Sequence, residues 1–133
     1  MDSVHLASRL DRETSGVVLL AKHRKAASLW QKGIERKTVR RSYFAIVRGE
    51  MSERKELSTF LGKDPDSSVF VKQRVMGRTR TSKRAESVFE PLGTAKGQTF
   101  CMVSTKTGRK HQIRAHAQAM GHELVGEKLY GTD

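Results

Sequence analysis

Five short segments between residues 42 and 104 constrain this chain more than any other feature. Ser42–Val47, Glu56–Leu61, Ser68–Val75, Arg84–Glu90 and Thr99–Ser104 are rich in Val, Ile, Phe, Tyr and Thr, and each has strand length. Turn chemistry separates them, with Arg48-Gly49, Asp64-Pro65-Asp66 and a polar, Gly-containing stretch before Arg84. Val17–Ala21 is β-branched and apolar and reads as one more strand, buried. Two segments carry helical spacing instead. Ala26, Leu29, Trp30 and Ile34 predict a helix over Lys25–Arg36, and a second is expected from about Lys110 to Met120, with Gly121 placed to end it. One or two helices among five or six strands predict an α+β fold with a mostly antiparallel sheet, in a single domain over residues 1–133. No closing element is evident after Tyr130-Gly131-Thr132-Asp133, so open sheet edges are expected.

Several function classes fall away early. The longest run without a polar residue is Val17–Ala21, whereas a membrane span needs ~20 apolar residues, so no membrane partner is expected. Met1–Leu10 has no apolar core of a secretory signal. Cys101 is the only cysteine, which excludes an internal disulfide and a Cys-based zinc site and fits a reducing, cytoplasmic setting. No glycine-rich phosphate loop, nucleotide fingerprint or Ser-His-Asp pattern is present.

Charge points to a partner. Lys and Arg number 26 against 14 Asp and Glu, a formal net charge of +12. Self-repulsion opposes compaction of such a chain, and an excess of this size commonly serves a polyanion. Any one basic cluster can be no more than a solvated surface. Their sum, including Arg40-Arg41, Lys83-Arg84 and Arg109-Lys110, favours nucleic acid. Aromatic residues make up 6%, too few for a platform that stacks many successive bases.

Two segments could carry chemistry. In the last helix, Ile113, Ala117 and Met120 fall on one face, expected against a core. His111, Arg114, Ala115 and Gln118 fall on the opposite one, expected exposed or facing a cleft. A solvated amphipathic helix explains the same pattern. Zinc binding by His111, His116 and His122 is disfavoured, since five residues separate the first two, about 140° around a helix. The second segment, Ser8 to Gly16, sets Arg9 and Arg12 around Asp11. A local turn closed by Asp11 explains this equally well.

The run Arg9-Leu10-Asp11-Arg12-Glu13-Thr14-Ser15-Gly16 resembles the RLDxxTSG signature of the RluA-type RNA pseudouridine synthases. Ser42 to Gly49 resembles that family's second motif, a strand carrying a tyrosine. Thr107 to His116 resembles the third, and Gly121 to Gly131 its usual continuation. Three motifs in the right order are specific, and the resemblance covers nearly the whole chain. Departures are Ser8 for the usual His, Lys110 for Thr or Ser, Ala115 for Val, and Glu123 and Glu127 for Pro and Asp. The resemblance implies an incomplete catalytic domain, without strands before the aspartate loop or after Leu129-Tyr130-Gly131.

It also implies a function: isomerisation of uridine to pseudouridine in ribosomal or transfer RNA, with no cofactor and no metal. Asp11 would act at ribose C1′, Arg114 would pair with it, and Tyr43 would stack on the uracil. Arg9 would fill the space of the flipped base. Arg12, Arg109, Lys110, His111 and Gln112 would contact RNA. The rival is a non-catalytic basic RNA-binding module, or an RNA-chaperone fragment, that keeps the fold.

Overall fold

The computed structural model describes residues 3–131. The chain divides into two compact units, Met1–Arg40 and Arg41–Asp133.

The first unit holds β1 (His5–Leu6), β2 (Leu20–Ala21) and α1 (Arg24–Glu35), with β1 and β2 paired antiparallel. The helix starts one residue before the predicted segment. The His23 side chain caps it by accepting the Ala26 N–H through Nδ1 at 3.2 Å. Its end is a Schellman turn. Lys37 at φ 59° donates to the Ile34 carbonyl, and Thr38 donates to Gly33. The expected buried strand over Val17–Ala21 is a correction. Only Leu20–Ala21 pairs, Val17 is 89% exposed, and Ala21 alone is buried. An apolar run becomes a buried strand only where neighbours cover both its edges and both its faces. In this unit the ladder offered to it is the two-residue β1. Leu19, Ala21, Leu29, Trp30 and Val39 line an open apolar hollow of ≈ 550 Å³.

The second unit bears out the α+β expectation. Its strands are β3 (Arg41–Arg48), β4 (Lys55–Lys63), β5 (Gln73–Met76), β6 (Lys83–Ala95) and β7 (Gln98–Thr105), followed by α2 (Gln112–Ala119). They form one antiparallel sheet in the order β3-β7-β6-β4-β5. β6 runs past the predicted end at Glu90, because a register shift between Pro91 and Gly93 absorbs the proline's missing N–H. Lys96 and Gly97, both at positive φ, make the two-residue hairpin to β7.

Ser68–Val75 is only half a strand. Asp64 Oδ1 accepts the Asp66 N–H, and Asp64 N–H donates to the Lys72 carbonyl. These bonds fold residues 64–72 into a loop, and extended pairing begins at Gln73.

Alternate residues of β3, namely Arg41, Tyr43, Ala45 and Val47, share one sheet face. On that face Val47, Phe89, Cys101 and Val103 pack with Ala117, flanked by Ile113 and Met120, so the face expected to anchor α2 does so. Ala115 is a correction. It is buried with Leu61, Ala85 and Tyr130 in a second cluster, because the segment ending in Tyr130 covers α2 on a further side. The helix ends as expected. Gly121 at φ +76° donates to Gln118, and His122 donates to Ala117.

One edge is less open than expected. Arg48 N–H donates to the Glu123 carbonyl and Val125 N–H to the Ile46 carbonyl, which lays residues 123–125 along β3. Thr132 and Asp133 lie outside the described residues.

Candidate active site

The first motif is a loop. Thr14 N–H donates to the Asp11 carbonyl at 3.0 Å, so Asp11 opens a tight turn. Ser8 Oγ accepts the Leu19 N–H at 2.8 Å and ties the loop's start to the segment after it. Asp11 is half-buried, while Arg9 and Arg12 are exposed. Within this loop the Asp11 carboxylate accepts no backbone hydrogen bond among the described residues, so the turn is closed by main chain and not by the acid.

The second and third motifs belong to the other unit. Tyr43 sits half-buried on β3, on the sheet face that α2 covers. Arg114 projects from α2 into a built setting. Its Nε donates to Glu127 Oε2 at 2.9 Å and its Nη2 to Oε1 at 2.5 Å, a bidentate clamp. The Arg114 guanidinium carbon lies 5.2 Å from the centre of the Tyr130 ring. The Tyr130 hydroxyl in turn accepts the Gln73 N–H at 2.8 Å and meets His111 Nδ1 at 2.9 Å. Glu127 also accepts the N–H groups of Leu129 and Tyr130, so one carboxylate fixes both the arginine and the tail that lies beside it.

The electrostatics agree with this. Burial by itself would raise the Glu127 pKa. The hydrogen bond from Arg114, those from the backbone, and the Arg114 charge outweigh it and hold the carboxyl below its ordinary value. Sequence reading missed this partner. Glu127 stood out only as a longer acid where the family motif has an aspartate, which is the one signal that could have found it.

Gln112 is a correction. The sequence placed it against RNA, but it is 4% exposed. Its Oε1 accepts from Thr107 Oγ1 and Arg109 N–H, and its Nε2 donates to the Glu86 carbonyl and Ser87 Oγ. With both ends of the amide engaged, it clamps the Thr107–Arg109 turn to β6. Arg109 and Lys110 are exposed on that turn, and Arg109 Nε donates to the Arg84 carbonyl. His111, at φ 54°, is half-buried and turned to Tyr130.

His116 was weighed only as a zinc ligand. It is fully buried, bonded to Thr59 Oγ1 at 2.7 Å and Ser87 Oγ at 2.8 Å, and burial lowers its pKa to about 4. Among the described residues no group of three or more His, Cys, Asp or Glu is placed to hold a metal. No described helix is long and apolar enough to cross a membrane.

Residues 1–119 match the family model of RNA pseudouridylate synthases. The chain belongs to this family. It is 37% identical over 130 residues to an uncharacterized RNA pseudouridine synthase, YjbO, of Bacillus subtilis, covering 97% of this chain and 44% of that protein. It is 36% identical over 129 residues to the ribosomal large subunit pseudouridine synthase C of Vibrio cholerae, covering 96% and 39%. Among solved structures, the human RNA pseudouridylate synthase domain containing 1 superposes with a TM-score of 0.86 at 25% identity, over 98% of this chain and 56% of that one. The chain thus spans about two fifths of the length of these two curated relatives.

Proposed function

We propose that this pseudouridine synthase chain carries the uridine-isomerising centre of its family, with Asp11, Tyr43 and Arg114 as the reacting set. The observation that carries the reading is the family match over residues 1–119, which spans all three positions. In the reaction the N1–C1′ bond of uridine breaks, the base turns, and a C5–C1′ bond forms. The C5 proton is lost and N1 ends protonated, so the product is an isomer and no electrons leave the substrate. Asp11 supplies a carboxylate to C1′, as carboxylates do in glycoside cleavage. Uracil departs as a delocalised anion and needs no second acid. Arg114 orients that carboxylate, and its own rotamer is fixed by Glu127. Tyr43 stacks on the extruded base. Arg9 takes the place of a base flipped from a stem, at a cost of a few kcal/mol that phosphate contacts offset. Arg12, Arg109 and Lys110 supply such contacts.

Ribosomal RNA is the favoured substrate over transfer RNA, because several relatives are named for the large ribosomal subunit. The setting is the reducing cytoplasm. The isomerisation calls for no cofactor.

The test compares the chain with Asp11→Asn. Chemical mapping of pseudouridine on treated ribosomal RNA should show one or a few converted uridines with the unaltered chain and none with the variant, at nearly equal RNA affinity. Binding without conversion by both would instead establish a non-catalytic RNA-binding module. The net charge of +12, which serves RNA affinity with or without catalysis, is the observation that keeps this second reading in view.

A further inference from the structure

Tyr130 lies beside Arg114 and is pinned at both ends. Its main-chain N–H donates to Glu127 Oε1 at 3.4 Å, and the same oxygen accepts from Arg114 Nη2. At the far end the hydroxyl accepts the Gln73 N–H at 2.8 Å and meets His111 Nδ1 at 2.9 Å, so it ties the start of β5 to the residue before α2. The ring between these ends is buried and packs with Leu61, Ala85 and Ala115. Gly131 makes the seat possible. A Cβ there would stand 2.8 Å from the Glu127 carbonyl oxygen, which is main chain and cannot swing aside. The glycine lets residues 127–131 close on themselves with the Tyr130 side chain covered.

The clamp on Arg114 defines what the ring adds. Glu127 takes the Nε–Nη2 edge of the guanidinium, so a further acid is met by its Nη1 side. Two parallel hydrogen bonds fix the guanidinium along the carboxylate. They resist tilting much less, because hydrogen bonds to such oxygens tolerate a broad range of directions. Tilt to one side is blocked by the Tyr130 ring, whose centre is 5.2 Å from the guanidinium carbon. Attraction between the cation and the π face holds the two together. The ring does not yield to the arginine, since both its ends are bonded and its neighbours are packed.

We infer that Tyr130 is a positioning residue: its anchored ring sets the tilt of Arg114, so that the arginine meets the reacting carboxylate in a single orientation. This rests on the role proposed above for Arg114 and extends it to a side chain that, at 4% exposure, acts through another and not on the RNA itself. A tilted arginine is a misplaced carboxylate, and a displacement of about 1 Å in a reacting pair can cost about a hundredfold in rate.

The test pairs a rate with a spectrum. Tyr130→Leu removes the flat ring, whereas Tyr130→Phe keeps it and cuts its ties to Gln73 and His111. With the full chain in saturating excess over ribosomal RNA, single-turnover conversion should fall roughly twentyfold in Tyr130→Leu and recover to within roughly threefold in Tyr130→Phe, while RNA affinity changes less than about twofold. The Arg114 Nε–H resonance needs no turnover. It should be slow to exchange and shifted by the ring current in the unaltered chain, keep most of both features in Tyr130→Phe and lose both in Tyr130→Leu. A folded Tyr130→Leu with the unaltered rate and unaltered exchange would make Tyr130 a packing residue and overturn the inference. So would a loss confined to RNA affinity. If Tyr130→Leu does not fold, Tyr130→Met fills the space with a more pliable chain and carries the same expectation. A rapidly exchanging, unshifted Arg114 resonance in the unaltered chain overturns the inference without any variant. If the unaltered chain converts no uridine, the catalytic reading fails by itself, and the resonance still decides whether Tyr130 sets the arginine.

Discussion

The two units of this chain are held together by different means. The first has two-residue strands, a helix with no buried residue, and apolar side chains from Val17 to Leu20 facing outward. Its order comes from local devices: the His23 cap, the Schellman turn at Lys37, and the Asp11–Thr14 turn. The second has a five-stranded sheet with Val47, Phe89, Cys101 and Val103 completely buried. The proposed reacting acid sits on the locally organised unit. The arginine and the phenol sit on the packed one. The difference teaches that motif conservation of shape has two sources here, a short-range turn for Asp11 and a long-range core for Arg114 and Tyr43. Each should answer to a different kind of perturbation.

The largest expected effect breaks the core. Phe89 is fully buried at the centre of the main cluster, so Phe89→Ala should cost about 3–5 kcal/mol in urea unfolding. Leu29, on the helix of the first unit, is 60% exposed, and Leu29→Ala should change stability by no more than about 0.5 kcal/mol. Equal losses would show that the first unit is packed as tightly as the second.

The same contrast explains what the sequence revealed. Strands β3, β4, β6 and β7 were legible because Val, Ile, Phe, Tyr and Thr gather in them at strand length, on the exposed face as well as the covered one, as at Phe44, Ile46 and Phe100. Val17–Ala21 misled because composition reports what a segment could bury, while burial depends on neighbours that local pattern does not encode. Ala115 and Gln112 misled for a related reason. A helical wheel separates two faces, but α2 is covered on more than one side, by the sheet and by the Leu129–Tyr130 segment. The proposed reacting positions, Asp11, Tyr43 and Arg114, were each named by a short motif. Glu127 and Tyr130 reach Arg114 through the fold, and their spacing along the chain holds no periodic signal.

The second prediction tests whether the arginine's posture belongs to the packed unit. Glu127→Gln keeps the shape and removes the charge facing Arg114. The side chains are 3% and 21% exposed, so the loss is little relieved by solvent, and about 3 kcal/mol of stability should go. A double-mutant cycle with Arg114→Gln should return a coupling near 2 kcal/mol. If the proposed chemistry holds, Glu127→Gln should lower the single-turnover rate of pseudouridine formation at least tenfold while RNA affinity changes little. Loss of affinity with an unchanged rate would show the clamp to serve RNA contact instead of orientation.

The smallest effect is a pH dependence confined to the packed unit. His116 is enclosed by Thr59 and Ser87, and its folded pKa of about 4 lies below the unfolded value near 6.5. Between those two values the unfolded chain binds the extra proton, so stability rises with pH across the window. The contribution is complete above about pH 6.5 and is lost as the pH falls toward 4. From pH 7 to pH 5 the unaltered chain should therefore lose about 2 kcal/mol of unfolding free energy from this residue. Glu127, whose carboxyl is held below its ordinary value, loses its own share only at more acid pH, so pH 5 separates the two groups. His116→Gln places a group that does not titrate between the same hydroxyls, and should flatten the dependence between pH 7 and pH 5. Hydrogen exchange would sharpen the result. At pH 5 protection should fall on β4 and β6, which hold Thr59 and Ser87, and should stay as it was on α1. A slope that survives His116→Gln would move its origin to the exposed charges of the basic surface.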